Sequence, residues 1–156
     1  MSSAGAQVVG TTRAVTVRDV MRPPATTVEP SAHLAAAAYL MKRRHDSALV
    51  VTTADPSATP VGVITDADIT QAVADRRDLE QTRISDLLGR TPVTVAPDAS
   101  VAEATRVMLG ATVNHLLVVD GTALVGIVDM ADMCRALTAP AGRRAAAVDR
   151  PVPPPR

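Results

Sequence analysis

Gly62-Val63-Ile64-Thr65-Asp66-Ala67-Asp68 sets a hydroxyl and a carboxylate in the first turn of a helix that follows directly on a buried strand. Backbone N–H groups exposed at a helix start favour phosphate, and the Thr65 hydroxyl adds one more donor there. One turn on, the Asp68 carboxylate can accept both hydroxyls of a ribose, so the spacing suits a nucleotide. The same Thr65-x-x-Asp68 spacing is also a capping box, which satisfies two orphan donors with no ligand at all. A second stretch, Gly126-Ile127-Val128-Asp129-Met130-Ala131-Asp132, keeps the glycine and the last carboxylate but has Asp129 where the first has Thr65. A carboxylate about 4 Å from a phosphate costs ~4 kcal/mol at an effective dielectric of about 20, roughly a thousandfold in affinity. The matching position of the other stretch, Ser47-Ala48, offers no cation to offset that charge. The Asp132 site is therefore expected to be empty, to take a neutral nucleoside-like ligand, or to hold a cation, although carboxylates at i and i+3 ordinarily cap a helix.

Outside these stretches the sequence assembles no catalytic apparatus and no metal site. His33, His45 and His115 lack the spacing of zinc ligands, and Cys134 falls on a helix face near the end, where a packed thiol is the simplest reading. No nucleophile has a nearby base and there is no Gly-rich phosphate loop, which sets aside a small hydrolase or kinase. His33 is expected as a solvated helix residue. His45 follows Lys42-Arg43-Arg44 at a helix C-terminus, where positive charge suits the dipole; the same run could assist a phosphate bound in another subunit.

Positioning these residues takes strands and helices in a fixed order, and the chain supplies that order twice. Asp19-Val20-Met21 is echoed by Asp86-Leu87-Leu88, Thr27-Val28-Glu29-Pro30 by Thr94-Val95-Ala96-Pro97, and Leu34, Ala37 and Met41 by Val101, Ala104 and Met108, all 67 positions apart. The offset falls to 64 at Gly62 and Gly126, because the first copy has three extra residues within 53–59. Each copy reads as strand, helix, strand, strand, helix. A unit of ~60 residues buries its apolar faces poorly alone, so the copies are expected to pack on each other. The first helix is predicted from near Ser31, with Leu34, Ala37, Ala38 and Met41 as its buried stripe. Ser47–Thr52 and Pro60–Ile64 form a hairpin with an irregular loop, and His115–Val119 and Ala123–Val128 flank the turn signal Asp120-Gly121. The last helix of each copy starts at Thr65 and near Asp129. The expected organisation is a flexible N-terminus over 1–14, the first copy over 15–75, a polar connector over 76–83, the second copy over 84–138 and a disordered tail over 139–156, which holds 5 of the 12 prolines.

Composition narrows the partners. The 156 residues carry 16 Lys+Arg against 16 Asp+Glu, so no general field draws in nucleic acid or an anionic membrane. Aromatic residues amount to 1%, Tyr39 alone, which removes the stacking platforms of single-stranded nucleic-acid binders. The single cysteine excludes an internal disulfide framework and fits a reducing compartment. No apolar run approaches the ~20 residues of a membrane span, and the start lacks a signal sequence; a cytoplasmic location is the expectation. Lys42 is the only lysine beside abundant Arg and Ala, a bias like that of a GC-rich bacterial genome.

With its paired Asp-Val-Met-like openings, Thr-Val strands, Ala-rich helices, hairpins and Gly-h-h-Thr-x-x-Asp stretch, the chain resembles a tandem cystathionine-β-synthase (CBS) domain pair over about Val17 to Leu137. The resemblance implies an α/β (α+β) fold in which two CBS repeats pack sheet against sheet about a pseudo-two-fold axis, commonly as a disc-shaped homodimer. It implies no enzymatic activity and no obligatory cofactor, but a regulatory or sensor module whose clefts bind an adenosine-containing ligand such as AMP, ADP, ATP or S-adenosylmethionine. Carried onto this chain, Thr65 contacts phosphate or ribose and Asp68 the ribose hydroxyls, with Ile64 beside them; Ala25, Thr26, Thr27 and Val28 contact adenine. Asn114 and His115 are the phosphate partners from the opposite repeat, although a half-buried strand histidine with a local hydrogen bond is an equal reading of His115. Thr94, Val95, Asp129 and Asp132 form the weaker second cleft. Output then passes to a separate effector protein or through dimer geometry. The competing expectation is an association scaffold with no bound nucleotide.

Overall fold

The computed structural model describes residues 13–24, 26–89 and 91–139, so the expected flexible N-terminus and Pro-rich tail fall almost wholly outside the described residues, as does Ala25. In chain order the elements are α1 (Val17–Val20), β1 (Thr27–Val28), α2 (Leu34–Arg44), β2 (Ala48–Thr52), β3 (Pro60–Thr65), α3 (Asp66–Ala74), a 3-10 turn (Ile84–Asp86), β4 (Thr94–Val95), α4 (Val101–Ala111), β5 (His115–Asp120), β6 (Ala123–Asp129) and α5 (Met130–Thr138). Helix α2 starts three residues later than expected. Residues 30–32 form a turn closed by the Ala32 N–H on the Glu29 carbonyl (3.1 Å), which leaves His33 as the extended N-cap rather than a helix residue. In the second copy Ser100 holds that position and accepts from the Glu103 N–H (3.1 Å). Both helices end on a left-handed residue, His45 (φ 57°) and Thr112 (φ 55°), 67 positions apart, which turns the chain back into the next strand.

Two three-stranded sheets result, β1-β2-β3 and β4-β5-β6, each with a parallel and an antiparallel pair. Their registers are equivalent. Val51 faces Gly62 and Val118 faces Gly126, and the register of each hairpin shifts immediately afterwards, at Val51/Thr52 and at Val118/Val119. The second hairpin extends one residue beyond expectation: Asp120 pairs with Ala123, and Gly121-Thr122 makes the turn, with Gly121 at φ 62°, a conformation that favours glycine. Strand β2 alternates two ways. Leu49 and Val51 enter the core beneath their own helices, whereas Val50 and the partly buried Ala48 face the other sheet and meet Leu117 and Ile127. Burial on both faces is why these strands read as continuous apolar runs.

The lead-in of each copy packs into the other copy. Val17, fully buried, belongs to the core of the second copy with Val101, Met108, Leu116 and Met133; Ile84, also fully buried, belongs to that of the first with Leu34, Met41, Leu49 and Ile64. The backbone contacts are reciprocal to the residue. Val17 N–H donates to the Ala99 carbonyl (2.8 Å) and Ile84 N–H to the Ala32 carbonyl (2.9 Å); Arg18 N–H donates to Pro97 (2.8 Å) and Ser85 N–H to Pro30 (2.9 Å). Thr16 bridges Ser100, and Arg83 bridges His33. Gly62 and Gly126 make room for this exchange. A Cβ on Gly126 would lie 2.8 Å from Met21 Sδ and 3.0 Å from the Arg22 carbonyl, and one on Gly62 would lie 2.6 Å from a Leu88 methyl.

The two glycines therefore differ in what a methyl group would strike. Gly126→Ala meets a backbone carbonyl fixed by the bridge from Arg22 to Ile127, and is expected to cost about 1–3 kcal/mol and lower Tm by roughly 4–10 °C. Gly62→Ala meets the end of one leucine side chain, which can rotate away, and is expected to cost less than about 1 kcal/mol. Calorimetry of the two variants checks the order.

Candidate functional site

The start of α3 is a closed capping box. The Thr65 N–H (2.8 Å) and hydroxyl (2.7 Å) both donate to one Asp68 oxygen, and the Asp68 N–H donates back to Thr65 Oγ1 (3.2 Å). At the start of α5 the Asp129 N–H donates to Asp132 (3.1 Å) and the Asp132 N–H to Asp129 (2.7 Å). Asp129 thus performs the backbone work of Thr65, because a carboxylate caps a helix as well as a hydroxyl does. It also brings a charge that the hydroxyl does not.

These two helix starts flank a seam made by Ser47 and His115, whose Oγ and Nε2 lie 3.1 Å apart. The Ser47 carbonyl accepts from the Asp66 N–H (2.9 Å), and its equivalent, the Asn114 carbonyl, accepts from the Met130 N–H (3.0 Å). His115, half-buried, faces carboxylates of both copies. Burial holds its imidazole below the ordinary histidine value; Asp129 and Asp66 pull the other way, Arg22 adds to the depression and Asp132 opposes it.

Asp129 has a cation after all. The Arg22 guanidinium reaches Asp129 at 2.8 Å, Asp132 at 3.4 Å and Asp46 at 3.5 Å, and Arg135 takes the other Asp132 oxygen at 2.7 Å. The cation comes not from the Ser47-Ala48 position, which has none to offer, but from the exchanged lead-in, 107 residues before Asp129. The Arg22 backbone is itself fixed to the second copy, its N–H on the Ile127 carbonyl (3.0 Å) and its carbonyl on the Ile127 N–H (2.9 Å). Beside this cluster lies a cavity of about 270 Å³ between the copies. Its apolar walls include Pro24, Ala48, Val50 and Ile127, and Arg22, Asp46, Ser47 and His115 supply its polar side. Thr26 also lines it, and Thr26 Oγ1 is buried with no hydrogen-bond partner. An unpaired buried hydroxyl costs about 1–3 kcal/mol, and a ligand in the cavity could relieve that cost.

The exchange redistributes the expected site residues. Thr26 is brought together with Arg22, His115 and Ile127, on the side of Asp129 and Asp132 rather than of Thr65 and Asp68. By the same reciprocity Leu88 lies against Gly62, three residues before Thr65. Val28, Ile64 and Val95 are buried in the helix-covered cores, turned from the seam, and Thr27 and Thr94 are exposed. His115 lines the cavity, and the Asn114 carbonyl accepts from the Met130 N–H at the start of α5. Arg22 was missed, although its equivalent is Gly89 and the difference coincides with the Thr65/Asp129 difference at the other end of the unit.

Comparison with known proteins agrees with this architecture. Residues 17–75 and 84–139 each match the CBS domain family. The chain belongs to the CBS-domain family. The CBS domain-containing protein YhcV of Bacillus subtilis is 32% identical over 118 residues, 75% of this chain and 81% of that protein. CBSCBSPB5 of Arabidopsis thaliana is 33% identical over 117 residues, 74% of this chain but 21% of its own length. Indeed the chain spans only 21–33% of the first curated relatives it matches. Among solved structures, a CBS domain protein of Pyrobaculum aerophilum complexed with AMP superposes with a TM-score of 0.71 at 26% identity, covering 77% of this chain and 91% of that one. No helix among the described residues is long and apolar enough to cross a membrane.

Asp132 is 7% exposed and depends on its two cations. Arg22→Ala is expected to lower stability by about 1–3 kcal/mol, and the Arg22→Ala/Asp129→Asn double variant to lose less than the sum of the singles, as a double-mutant cycle of urea unfolding would show. His115 makes a separate prediction. Because its folded-state pKa lies below the unfolded value of 6.5, the unfolded chain takes up a proton that the folded chain refuses, so stability falls as pH drops through and below 6.5. His115→Gln is expected to shallow that slope between pH 7.5 and 5.5 relative to the parent.

Proposed function

We propose that the chain is a non-enzymatic regulatory module that binds an adenosine-containing ligand at the seam of its two CBS repeats. The observation that carries this reading is the cavity walled jointly by Arg22 and Thr26 of the first lead-in and by His115 and Ile127 of the second repeat, with the Thr26 hydroxyl unpaired at its edge. Apolar walls suit a nucleobase, and the volume of about 270 Å³ is close to the lower end of small-ligand pockets. The AMP complex of the Pyrobaculum aerophilum protein supports an adenine ligand in this fold. On the other side of the seam, Thr65, Asp68, Asn114 and His115 serve a second cleft; there Asp68 keeps an oxygen outside the capping box for a ribose hydroxyl.

The ligand acts by preferring one arrangement of the repeats, since a bridging molecule can shift an equilibrium only through differential affinity for its states. The working unit is a cytoplasmic homodimer. Val73 (56% exposed) and Leu137 (50% exposed) stand at equivalent positions of α3 and α5, 64 residues apart, and a second copy would cover both. Output passes through that dimer geometry or to a separate effector protein. The same pair of exposed side chains is what favours a second reading, an association scaffold without a nucleotide.

Differential scanning fluorimetry separates the two. Adenosine, AMP, ATP or S-adenosylmethionine at about 100 times its Kd should stabilise the protein by ~2.7 kcal/mol, and Asp68→Ala or His115→Ala should reduce the shift for ligands held on the Thr65 side. Asp68→Ala by itself should cost only ~1 kcal/mol of capping. No shift with any of the four at millimolar concentration would leave the scaffold.

A further inference from the structure

The two helix starts at the seam share one capping pattern but differ in charge, Asp129 capping one and the uncharged Thr65 the other, and this sets what each can hold. Around the cavity stand the carboxylates of Asp46, Asp129 and Asp132 and the guanidinium groups of Arg22 and Arg135, a sum of −1. Arg22, the cation in the cavity wall, is already engaged by all three carboxylates. Burial disfavours the charged form of His115 beside this cluster. The neighbouring Asp46, Ser47 and His115 place the polar side of the cavity next to this cluster, so the polar substituent of a ligand whose ring lies against Pro24, Val50 and Ile127 meets it directly.

Resting on the reading above, we propose that the Arg22–Asp129 pair makes this cavity charge-selective: it accepts adenosine-type ligands with a neutral or cationic substituent and turns away the corresponding phosphate. A phosphate entering here must share Arg22 with Asp129 and leave Asp129, Asp132 and Asp46 facing its own charge. A neutral nucleoside leaves the ion pairs intact and supplies a partner for Thr26 Oγ1. A cationic substituent is drawn to the net negative cluster. Asp129 is the residue that decides, because on the other side Thr65 caps the helix start without a charge.

NMR titration of the full chain tests this, with the Ile127 amide and the Thr26 methyl group as reporters inside the cavity wall and adenosine, 5′-amino-5′-deoxyadenosine and AMP as probes. In the parent protein, adenosine and the amino analogue should shift both reporters, with AMP at least tenfold weaker there. Asp129→Asn keeps the side-chain size and the cap while removing one carboxylate charge and the shortest ion pair of Arg22, and should tighten AMP at the same reporters by at least tenfold with adenosine changed less than about twofold. Equal affinity of AMP and adenosine in the parent, or an AMP-to-adenosine ratio unmoved by Asp129→Asn, overturns the charge selection and leaves the ligand-binding reading standing. Failure of all three probes to shift any resonance in either protein overturns that reading, and the selectivity with it.

Discussion

Each half of the chain is completed by a helical turn that belongs, in sequence, to the other half. Val17 and Ile84 are fully buried in cores to which their own repeats contribute little, and Gly126 and Gly62 leave the space through which the following residues, Met21-Arg22 and Leu88, lie against the host strand. A repeat of ~60 residues has a poor ratio of core to surface, and filling its last core position from the neighbour raises the burial of both at once. The exchange does more than stabilise. It fixes which loop faces which helix start, and therefore makes every cleft at the seam a composite of the two repeats.

The electrostatics follow from that geometry. Asp132 is nearly buried, and a buried carboxylate survives only when paired and hydrogen-bonded. Arg135 lies one turn on along α5, so that pair is a local helix contact; Arg22 is not local, and the strand-like bridge between its backbone and Ile127 is what delivers its head to Asp129 and Asp132. Asp46, at the end of the helix-to-strand turn after α2, closes the cluster from the first repeat. One guanidinium thus ties the lead-in, the end of α2 and the start of α5 together.

Much of this was legible in the sequence because duplication is a strong signal. The offsets of 67 and 64 predicted two equivalent sheets, and the observed registers, the equivalent hairpin shifts and the matched left-handed caps at His45 and Thr112 follow those offsets residue for residue. The Thr65-x-x-Asp68 and Asp129-x-x-Asp132 pairs read directly as capping boxes. The exchange was not legible, since the apolar character of Val17 states that it is buried and not in which copy. Grouping Thr26 with Thr65, both in the first copy, was the consequence. Strand parity was the other gap: Val28, Ile64 and Val95 lie on the faces covered by their own helices, and in strands apolar on both faces alternation cannot say which face meets the ligand.

Two differences between the copies, Arg22 for Gly89 and Asp129 for Thr65, are physically coupled. Asp129 without Arg22 would set two carboxylates at one helix start with Arg135 as the only cation paired there among the described residues, and Asp132 would lose a partner that its burial demands. Arg22 opposite an uncharged cap would keep Asp132 and Asp46 but lose its shortest contact, at 2.8 Å. Gly89 and Thr65, the residues that stand at these places in the opposite sense, need no such compensation: one has no side chain to place and the other satisfies its hydroxyl within the box. The pair Arg22–Asp129 therefore behaves as a single physical unit divided between the lead-in of one repeat and the last helix of the other. That division turns a duplicated fold into two unlike clefts.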